Sequence, residues 1–439
     1  MIIPSIDLMG GQTVQLIGGK QHALDAGDPR PIARRFSLAG EIAVVDLDAA
    51  MGTGTHADLI RDLLPLAPCR VGGGIRDVRA AIDWLDAGAA KVVLGTAARP
   101  DVLRELPPAR VIAALDAIDG QVVVEGWKTA TGESILDRMA RLQGLVGGFL
   151  ITFVEREGRL GGTNLDVVPA LVEAAAPARV TIAGGVTTPR DIAALDAMGA
   201  DAQVGMALYT GRLDLGDAIA APLNSDRPDA LWPTVVVDEL GVALGLCYSS
   251  AQSLRQAVRT QRGTYHSRSR GLWIKGETSG HTQELLRVDL DCDRDTLRFT
   301  VRQSGGDPSG AFCHTGTRTC WGHATGLPAL ASRIRAAADA PADGAPPNSY
   351  TRRLVNDPAL LRAKLVEEAN ELADAATPAE AAHEAADALF FTLVALARAG
   401  ARLEDAAAIL DRRALRLTRR PGHAKPVAPS PAPPNLAGG

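Results

Sequence analysis

The first half of the chain alternates short apolar runs with longer segments of helical period. MIIPSID, EIAVVDLD, CRVGGGI, KVVLGTA, ARVIAALD, GFLITFV, ARVTIAGG and DAQVGMAL read as eight strands, mostly followed by Ala- and Leu-rich segments. Such an alternation predicts parallel β/α units. The two halves also repeat: Asp7, Gly73-Gly74 and Gly95 recur about 110 residues later as Asp116, Gly184-Gly185 and Gly205. A TIM (β/α)8 barrel built from two four-unit halves over residues 1–222 shows this periodicity.

The pattern changes after LNSDRPDA (223–230), a polar segment that reads as a linker. Over residues 231–335, TVVVDELGVALGLCYSS reads as a hairpin and SLRQAVRTQRG as a helix capped at Ser250 or Ser253. TYHSRSR, GLWIKGE, ELLRVDLDCD and DTLRFTVRQ then alternate apolar and polar positions, giving an α+β, mostly β module. The Ala/Pro-rich AAADAPADGAPP (336–347) reads as a flexible linker. Residues 348–420 carry only helical periodicity, with Pro358 and Pro378 near helix starts and Gly400 near a helix end, so this domain is all-α. PGHAKPVAPSPAPPNLAGG (421–439) buries no core and is expected to be disordered.

A length of 439 residues agrees with two or three domains. A net charge of −5 gives no global electrostatic reason for nucleic acid or an anionic membrane as partner. The opening MIIPSIDLMGG lacks a basic region ahead of a long apolar run, and no stretch has the length of a membrane span. A cytoplasmic location is expected. Five cysteines cannot all pair, and in a reducing compartment clustered thiols hold metal more often than they form disulfides.

Candidate chemistry falls into three groups. In a barrel, glycine turns at the C-terminal ends of strands let backbone N–H groups approach phosphate. Gly73, Gly74, Gly95, Gly184, Gly185 and Gly205 would make two such sites on opposite sides of the mouth, suited to a substrate with a phosphate at each end; alternatively they only make βα turns. Asp7 and Asp116, ending strands one and five, can divide base and acid work if their environments separate their pKa values.

In the middle domain, Cys292, Cys313 and Cys320 suit Zn²⁺, with a fourth position open to water. Zinc lowers the pKa of such a water toward about 7. A structural zinc knot, or buried free cysteines beside a solvated acidic turn, is the alternative. Asp291, Asp293 and Asp295 alternate along what reads as a strand, so all three should share the face opposite Cys292 and offer hard oxygens to Mg²⁺. His314 could shuttle a proton.

In the all-α domain, Glu367, Glu368 and Glu371 form E-E-x-x-E, and Glu384 and Asp387 form E-x-x-D on the next helix. Packed together, these helices would converge carboxylates too repulsive to coexist without cations, and Mg²⁺ bridging a triphosphate is the natural partner. A solvated acidic stripe is the other reading.

Taken with their surroundings, these groups resemble known families. IIPSIDLMGG, VDLDAAMGTG, VGGGIRD, VLGTAA, the strand ending at Asp116, Gly126-Trp127, Thr152, AGGV and VGMAL resemble the ProFAR isomerase of histidine biosynthesis. That resemblance implies an Amadori rearrangement without a cofactor, with Asp7 as general base at the sugar carbon and Asp116 as general acid opening the ribose. The family usually has V-R-L where this chain has Val14-Gln15-Leu16, and R-D-G-T where it has Arg156-Glu157-Gly158-Arg159.

SRSR, LW-x-KGETSG, DCD-x-D and CH-x-G-x-x-x-C together resemble phosphoribosyl-AMP cyclohydrolase. This implies Zn²⁺ on Cys292, Cys313 and Cys320, Mg²⁺ on the three aspartates, proton transfer by His314, and zinc ligands drawn from two subunits of a homodimer. Arg268, Arg270 and Lys275 are the candidates for substrate phosphates. The segment between Gln303 and Cys313, SGGDPSGAF, is longer than the family's usual turn.

Ser349-Tyr350-Thr351, Lys364, EExxE and E-A-A-D resemble phosphoribosyl-ATP pyrophosphohydrolase, with Phe391 in place of the family's histidine. The three resemblances imply a trifunctional histidine-biosynthesis enzyme acting on small phosphoribosyl nucleotides. The rival readings are a bifunctional enzyme with a degenerate barrel and, outside the enzymes, a metal-stabilised nucleotide-binding scaffold.

Overall fold

The computed structural model describes residues 1–19, 21–124, 129–304, 310–340 and 349–418. All eight expected strands form: β1 Ile2–Met9, β2 Ile42–Asp46, β3 Cys69–Gly72, β4 Lys91–Leu94, β5 Val111–Ile118, β6 Gly148–Phe153, β7 Arg179–Ala183 and β8 Ala200–Val204. Each pairs in parallel with the next, and β8 returns to β1 (Ile2 opposite Ala202), closing the barrel. Side chains alternate across the strands. Val44, Val71 and Val92 face the surrounding helices, whereas Val93, Ile112, Ala114, Leu150 and Ala183 form a separate apolar layer.

Two hairpins were not legible in the pattern of apolar runs. Gln12–Ile17 and Gln21–Gly27 follow β1, and Gln121–Val124 and Thr129–Ser134 follow β5. They deepen the internal repeat, for Asp7 pairs with Val14 and Asp116 with Val123, each seven residues on in antiparallel register. Gly126-Trp127 falls outside the described residues.

The segment 223–230 is pinned at both ends: Asn224 N donates to Arg294 O (2.9 Å), and Ser225 Oγ to Leu231 O (3.0 Å). Beyond it, Trp232–Val237 and Ala243–Ser249 form the expected hairpin. Leu297–Gln303 joins it in parallel, and Gln283–Leu290 pairs antiparallel with that strand, giving one four-stranded sheet. The helix Ala251–Thr260 starts at Ser250, whose side chain forms a reciprocal capping box with Ser253. It lies against the last barrel helix, Leu215–Ala220, so closely that a Cβ on Gly216 would come within 2.7 Å of Arg255 Cα.

Two expectations require correction. Asp291, Asp293 and Asp295 do not alternate along a strand, because the strand stops at Leu290 and the next begins at Leu297; they occupy the turn between. The boundary expected at 335 falls inside a continuous helix, Gly326–Asp339, whose Leu327, Leu330, Ala331 and Ile334 pack into the C-terminal core. The start of the expected linker, 336–339, is thus helical, and its remainder from 341 lies outside the described residues, as do 305–309 of the long turn before Cys313 and the tail 421–439.

The C-terminal domain is all-α: Tyr350–Asn356, Pro358–Asp374, Pro378–Arg398 and Leu403–Ala414 pack with Gly326–Asp339 around Leu354, Leu361, Phe391, Leu393 and Val394. Asp357 and Thr377 cap the two long helices directly before the prolines, and Gly400 takes φ +75° just past the end of the second.

Gly73 has φ +92°, and a Cβ there would sit 2.2 Å from Asp46 O. Gly73→Ala therefore combines left-handed strain with overpacking and should cost about 2–4 kcal/mol, measured by denaturant unfolding; an unchanged midpoint would contradict this packing.

Candidate active sites

At the barrel mouth Asp7 is held from two sides. Gln15, buried, donates Nε2 to Asp7 Oδ2 at 3.2 Å and to Val14 O at 2.9 Å, and Ser5 Oγ lies 3.5 Å from Asp7 Oδ1. Burial pushes the Asp7 pKa up to about 6, against the lowering effect of those two hydrogen bonds. Asp116 stands opposite Thr152 of β6 in the parallel register.

Glu157, from the turn after β6, joins this pair. Burial, and then the charges of Asp7 and Asp116, push its pKa up to about 8. Sequence reasoning noted Glu157 only as a departure from a motif. Its position shows only after β6 folds beside β5 and the turn packs on the first hairpin, where a Cβ on Gly158 would lie 2.5 Å from Leu16 O and Gly18 N donates to Glu157 O. Arg159 of the same turn is exposed.

The six candidate glycines separate into two kinds. Gly73, Gly74, Gly184 and Gly185 all have positive φ, and their missing side chains leave space that neighbouring protein atoms fill: Asp46, Ala49, Phe153 and Gly162 respectively. Protein packing alone therefore demands glycine at these four positions, whatever their backbone N–H groups bind. Gly205 makes room for the Gln15 amide, whose Oε1 would be 2.6 Å from a Cβ, and only Gly95 faces open space.

In the middle domain the Asp291, Asp293 and Asp295 carboxylates do converge, within 4.8 Å of one another, through the turn rather than along a strand. The thiols divide differently. Cys313 accepts a hydrogen bond from Thr315 Oγ1 (3.1 Å), which leads the lowering of its pKa to about 7. The Cys320 pKa is raised by burial and by its neighbour Cys313. Cys292 is exposed, with Sγ 3.9 Å from Asp293 Oδ1, and among the described residues no group of three close donor atoms includes it.

Cys247, which the sequence did not single out, is buried enough that its pKa rises to about 12. Buried Lys275 senses Cys247, Cys313 and Cys320 together, with its own pKa lowered by burial and raised by those thiols. The amine thus faces the thiols, and it also lies over the rings of Phe312 (5.5 Å) and Trp273 (6.0 Å). Arg268 and Arg270 cover Tyr248 and Trp273. His314 Nδ1 lies 3.8 Å from Cys313 Sγ.

In the C-terminal domain the two long helices bring all five candidate carboxylates together. Glu367, Glu368 and Glu371 form one close group, and Glu368, Glu384 and Asp387 another. Glu368 belongs to both and is buried. Lys364 Nζ bonds Glu367 (2.9 Å) and approaches Glu368 (3.6 Å). Burial, then Glu368, Glu384 and Glu367, raise the pKa of Glu371. Phe391 is buried edge-on against Phe390 and Tyr350.

A closed barrel with paired carboxylates, a thiol and aspartate module, and a helical carboxylate cluster define a multidomain metabolic protein. Residues 1–214 match the family described as histidine biosynthesis protein, residues 245–322 match phosphoribosyl-AMP cyclohydrolase, and residues 332–414 match phosphoribosyl-ATP pyrophosphohydrolase. The chain is 41% identical over 225 residues to the 1-(5-phosphoribosyl)-5-((5-phosphoribosylamino)methylideneamino) imidazole-4-carboxamide isomerase of Gemmatimonas aurantiaca, covering 48% of this chain and 94% of that protein. The chain belongs to the histidine biosynthesis protein family.

It is also 48% identical over 215 residues to the histidine biosynthesis trifunctional protein of Neurospora crassa (49% of this chain, 24% of that protein). Over 214 residues it is 45% identical to the histidine biosynthesis bifunctional protein of Schizosaccharomyces pombe (49% of each). The chain spans from about a quarter to a half of the length of these fungal relatives.

Raised carboxyl pKa values in the mouth fix a pH dependence. Asp7 and Glu157 hold their protons more tightly folded than unfolded, so their stabilising contribution is complete below the unfolded carboxyl range. It is lost as pH rises through about 6 and then about 8. Glu157→Gln should accordingly gain stability relative to wild type as pH goes from about 5 to 9, by urea unfolding at each pH; a gap that stays constant or narrows contradicts a half-buried third carboxylate that keeps its proton.

Proposed function

We propose that the chain catalyses three consecutive steps of histidine biosynthesis. The helical domain releases pyrophosphate from phosphoribosyl-ATP, the middle domain opens the adenine ring of phosphoribosyl-AMP to give ProFAR, and the barrel converts ProFAR to the ketose PRFAR. The observation that carries this reading is the coincidence of each family match with its own convergent side chains.

In the barrel, Asp7 takes the proton from the sugar carbon and Asp116 protonates the ring oxygen as the ribose opens. With a pKa near 6, Asp7 is largely ionised at neutral pH and ready to act as base. Glu157, with a pKa near 8, keeps its proton there and adds no third charge beside the sugar. The glycine turns would receive the two phosphates through backbone N–H groups.

The donor sets fit cations of two kinds. Carboxylate oxygens of Asp291, Asp293 and Asp295, and of Glu367, Glu368, Glu371, Glu384 and Asp387, suit Mg²⁺. Cys313 and Cys320 suit Zn²⁺, with Cys292 supplied by a second copy of the chain. A cation bound at these sites screens phosphate charge and lowers the pKa of an attacking water. His314 would then accept or return a proton beside Cys313, with Arg268, Arg270 and Lys275 as the candidates for substrate phosphate, and Lys275 also steadies the thiol charge.

The homodimer this requires agrees with Trp321, which follows Cys320 and is 70% exposed. No described helix is long and apolar enough to cross a membrane, and we place the enzyme in the cytoplasm.

Supplying phosphoribosyl-ATP to the pure chain should yield the ketose. Glu368→Gln should stop pyrophosphate release, and Asp7→Asn should leave ProFAR accumulating, each with a loss on the order of 10²-fold or more, followed by product chromatography. Accumulation of ProFAR by wild type would refute the isomerase step, and absence of any turnover would refute the enzymatic reading.

A further inference from the structure

The turn that carries Asp291, Asp293 and Asp295 is held from outside its own sheet. At its centre Arg294 adopts φ +67°, a left-handed conformation that a β-carbon disfavours. From there its guanidinium forms a two-pronged ion pair with Asp196, Nε to Oδ2 at 3.0 Å and Nη2 to Oδ1 at 3.1 Å. Asp196 belongs to Pro189–Ala197, the helix between β7 and β8, and lies on the N-terminal face of the barrel, opposite the mouth. The Met1 ammonium shares Asp196 at 2.8 Å.

Further bonds grip the backbone of the same turn. Arg294 Nη1 donates to Asp291 O (2.8 Å), Asn224 Nδ2 to Asp293 O (3.1 Å) and Asn224 N to Arg294 O (2.9 Å). Asn224, the residue through which the chain leaves the barrel, is itself fixed by Trp232 Nε1 donating to its carbonyl (2.8 Å). Within the turn, Asp291 Oδ1 accepts both Asp295 N and Thr296 N at 3.1 Å. The carbonyls of Asp291, Asp293 and Arg294 are thus occupied, and none of these external bonds uses the carboxylates of Asp293 or Asp295. The clamp fixes the turn's backbone and leaves acidic groups converging.

We propose that the barrel is the template of the cyclohydrolase's carboxylate turn: Arg294 is a positioning residue, anchored on Asp196, that presets Asp291, Asp293 and Asp295 for a divalent cation. This rests on the reading of those aspartates as cation ligands. The two-pronged geometry suits the role, because a planar guanidinium against a carboxylate fixes direction as well as distance. Both partners are largely shielded from water, which strengthens the pair relative to an exposed one. In consequence the isomerase barrel supports a second active site at the end opposite its own.

The full chain provides the test, as Asp196→Asn, Arg294→Gln and the conservative Arg294→Lys. Two quantities are read: hydrogen exchange of the Asp295 and Thr296 amides in metal-free protein, and the Mg²⁺ concentration giving half-maximal ring opening of phosphoribosyl-AMP. Asp196→Asn and Arg294→Gln should each exchange faster and need about tenfold more Mg²⁺ or beyond, the usual effect of losing a residue that orients metal ligands. Turnover at saturating Mg²⁺ should be largely kept, and Arg294→Lys, which keeps the charge beside Asp196 but not the two-pronged geometry, should fall between wild type and Arg294→Gln in both quantities. Exchange as slow as wild type in Asp196→Asn or Arg294→Gln overturns the proposal, as does unaltered Mg²⁺ dependence in both. A wild-type chain that opens no ring at any Mg²⁺ concentration refutes the cyclohydrolase reading alone, because the exchange measurement still decides the clamp.

Discussion

Negative charges held close together, where the backbone prevents them from separating, set the terms for this protein. Two unit charges about 4 Å apart near a protein surface repel by about 4 kcal/mol, a sizeable part of any domain's net stability. Two places impose that condition, Asp291, Asp293 and Asp295 in the middle domain's turn and the group centred on Glu368, and in the barrel mouth Glu157 senses the charges of Asp7 and Asp116. The barrel relieves it with a proton, since burial lifts Asp7 and Glu157 into the range where a carboxyl stays neutral or titrates near physiological pH. The other two offer clustered oxygens that match hard cations. The first solution suits acid–base chemistry on a sugar and the second suits phosphate and water.

The domains are built onto one another. One hydrophobic cluster runs from the barrel helices into the middle domain, reaching Leu254, Tyr265 and Phe299, and Asp217 pairs with Arg255 across the junction at 2.6 Å. Glu239 of the middle domain binds both Arg302 and Arg402, the latter opening Leu403–Ala414, the last of the described helices. That last segment returns to the barrel, where Asp86 accepts the amides of Leu417 and Thr418 and Arg110 donates to Leu415 O. Each domain therefore contributes charged partners to the others' surfaces.

The architecture was legible in the sequence because its signals are periodic. Eight apolar runs, the repeat of Asp7 as Asp116 and the prolines before the long helices depend on local spacing, and local spacing survives folding. The two mouth hairpins escaped because their strands are mixed in polarity and lack an apolar run, as in QHALDAG and TATGES, with pairing set by the aspartate strands beside them. Asp291, Asp293 and Asp295 converge, but not on a strand face opposite Cys292, whose thiol lies beside Asp293: a tight turn with an arginine in left-handed conformation brings them together. Glu157, Cys247 and the Asp196–Arg294 pair carry no spacing signal. They meet their partners only through tertiary packing, as does Gln15, which replaces an expected arginine and turns its amide toward Asp7. The boundary near 335 was misplaced because an Ala-rich helix end and an Ala-rich linker look alike in composition.

Calorimetry of the full chain over a series of Mg²⁺ concentrations, for wild type and for Glu368→Gln, tests most directly whether the clustered carboxylates are cation sites. At tenfold excess over the dissociation constant, a cation that binds only the folded state adds about 1.4 kcal/mol. The transition of the C-terminal domain should rise with Mg²⁺ in wild type, and the substitution should raise that transition's Mg²⁺-free midpoint while abolishing its response. No shift in wild type, or an equal shift in Glu368→Gln, would contradict a cation bound at the carboxylates that Glu368 joins.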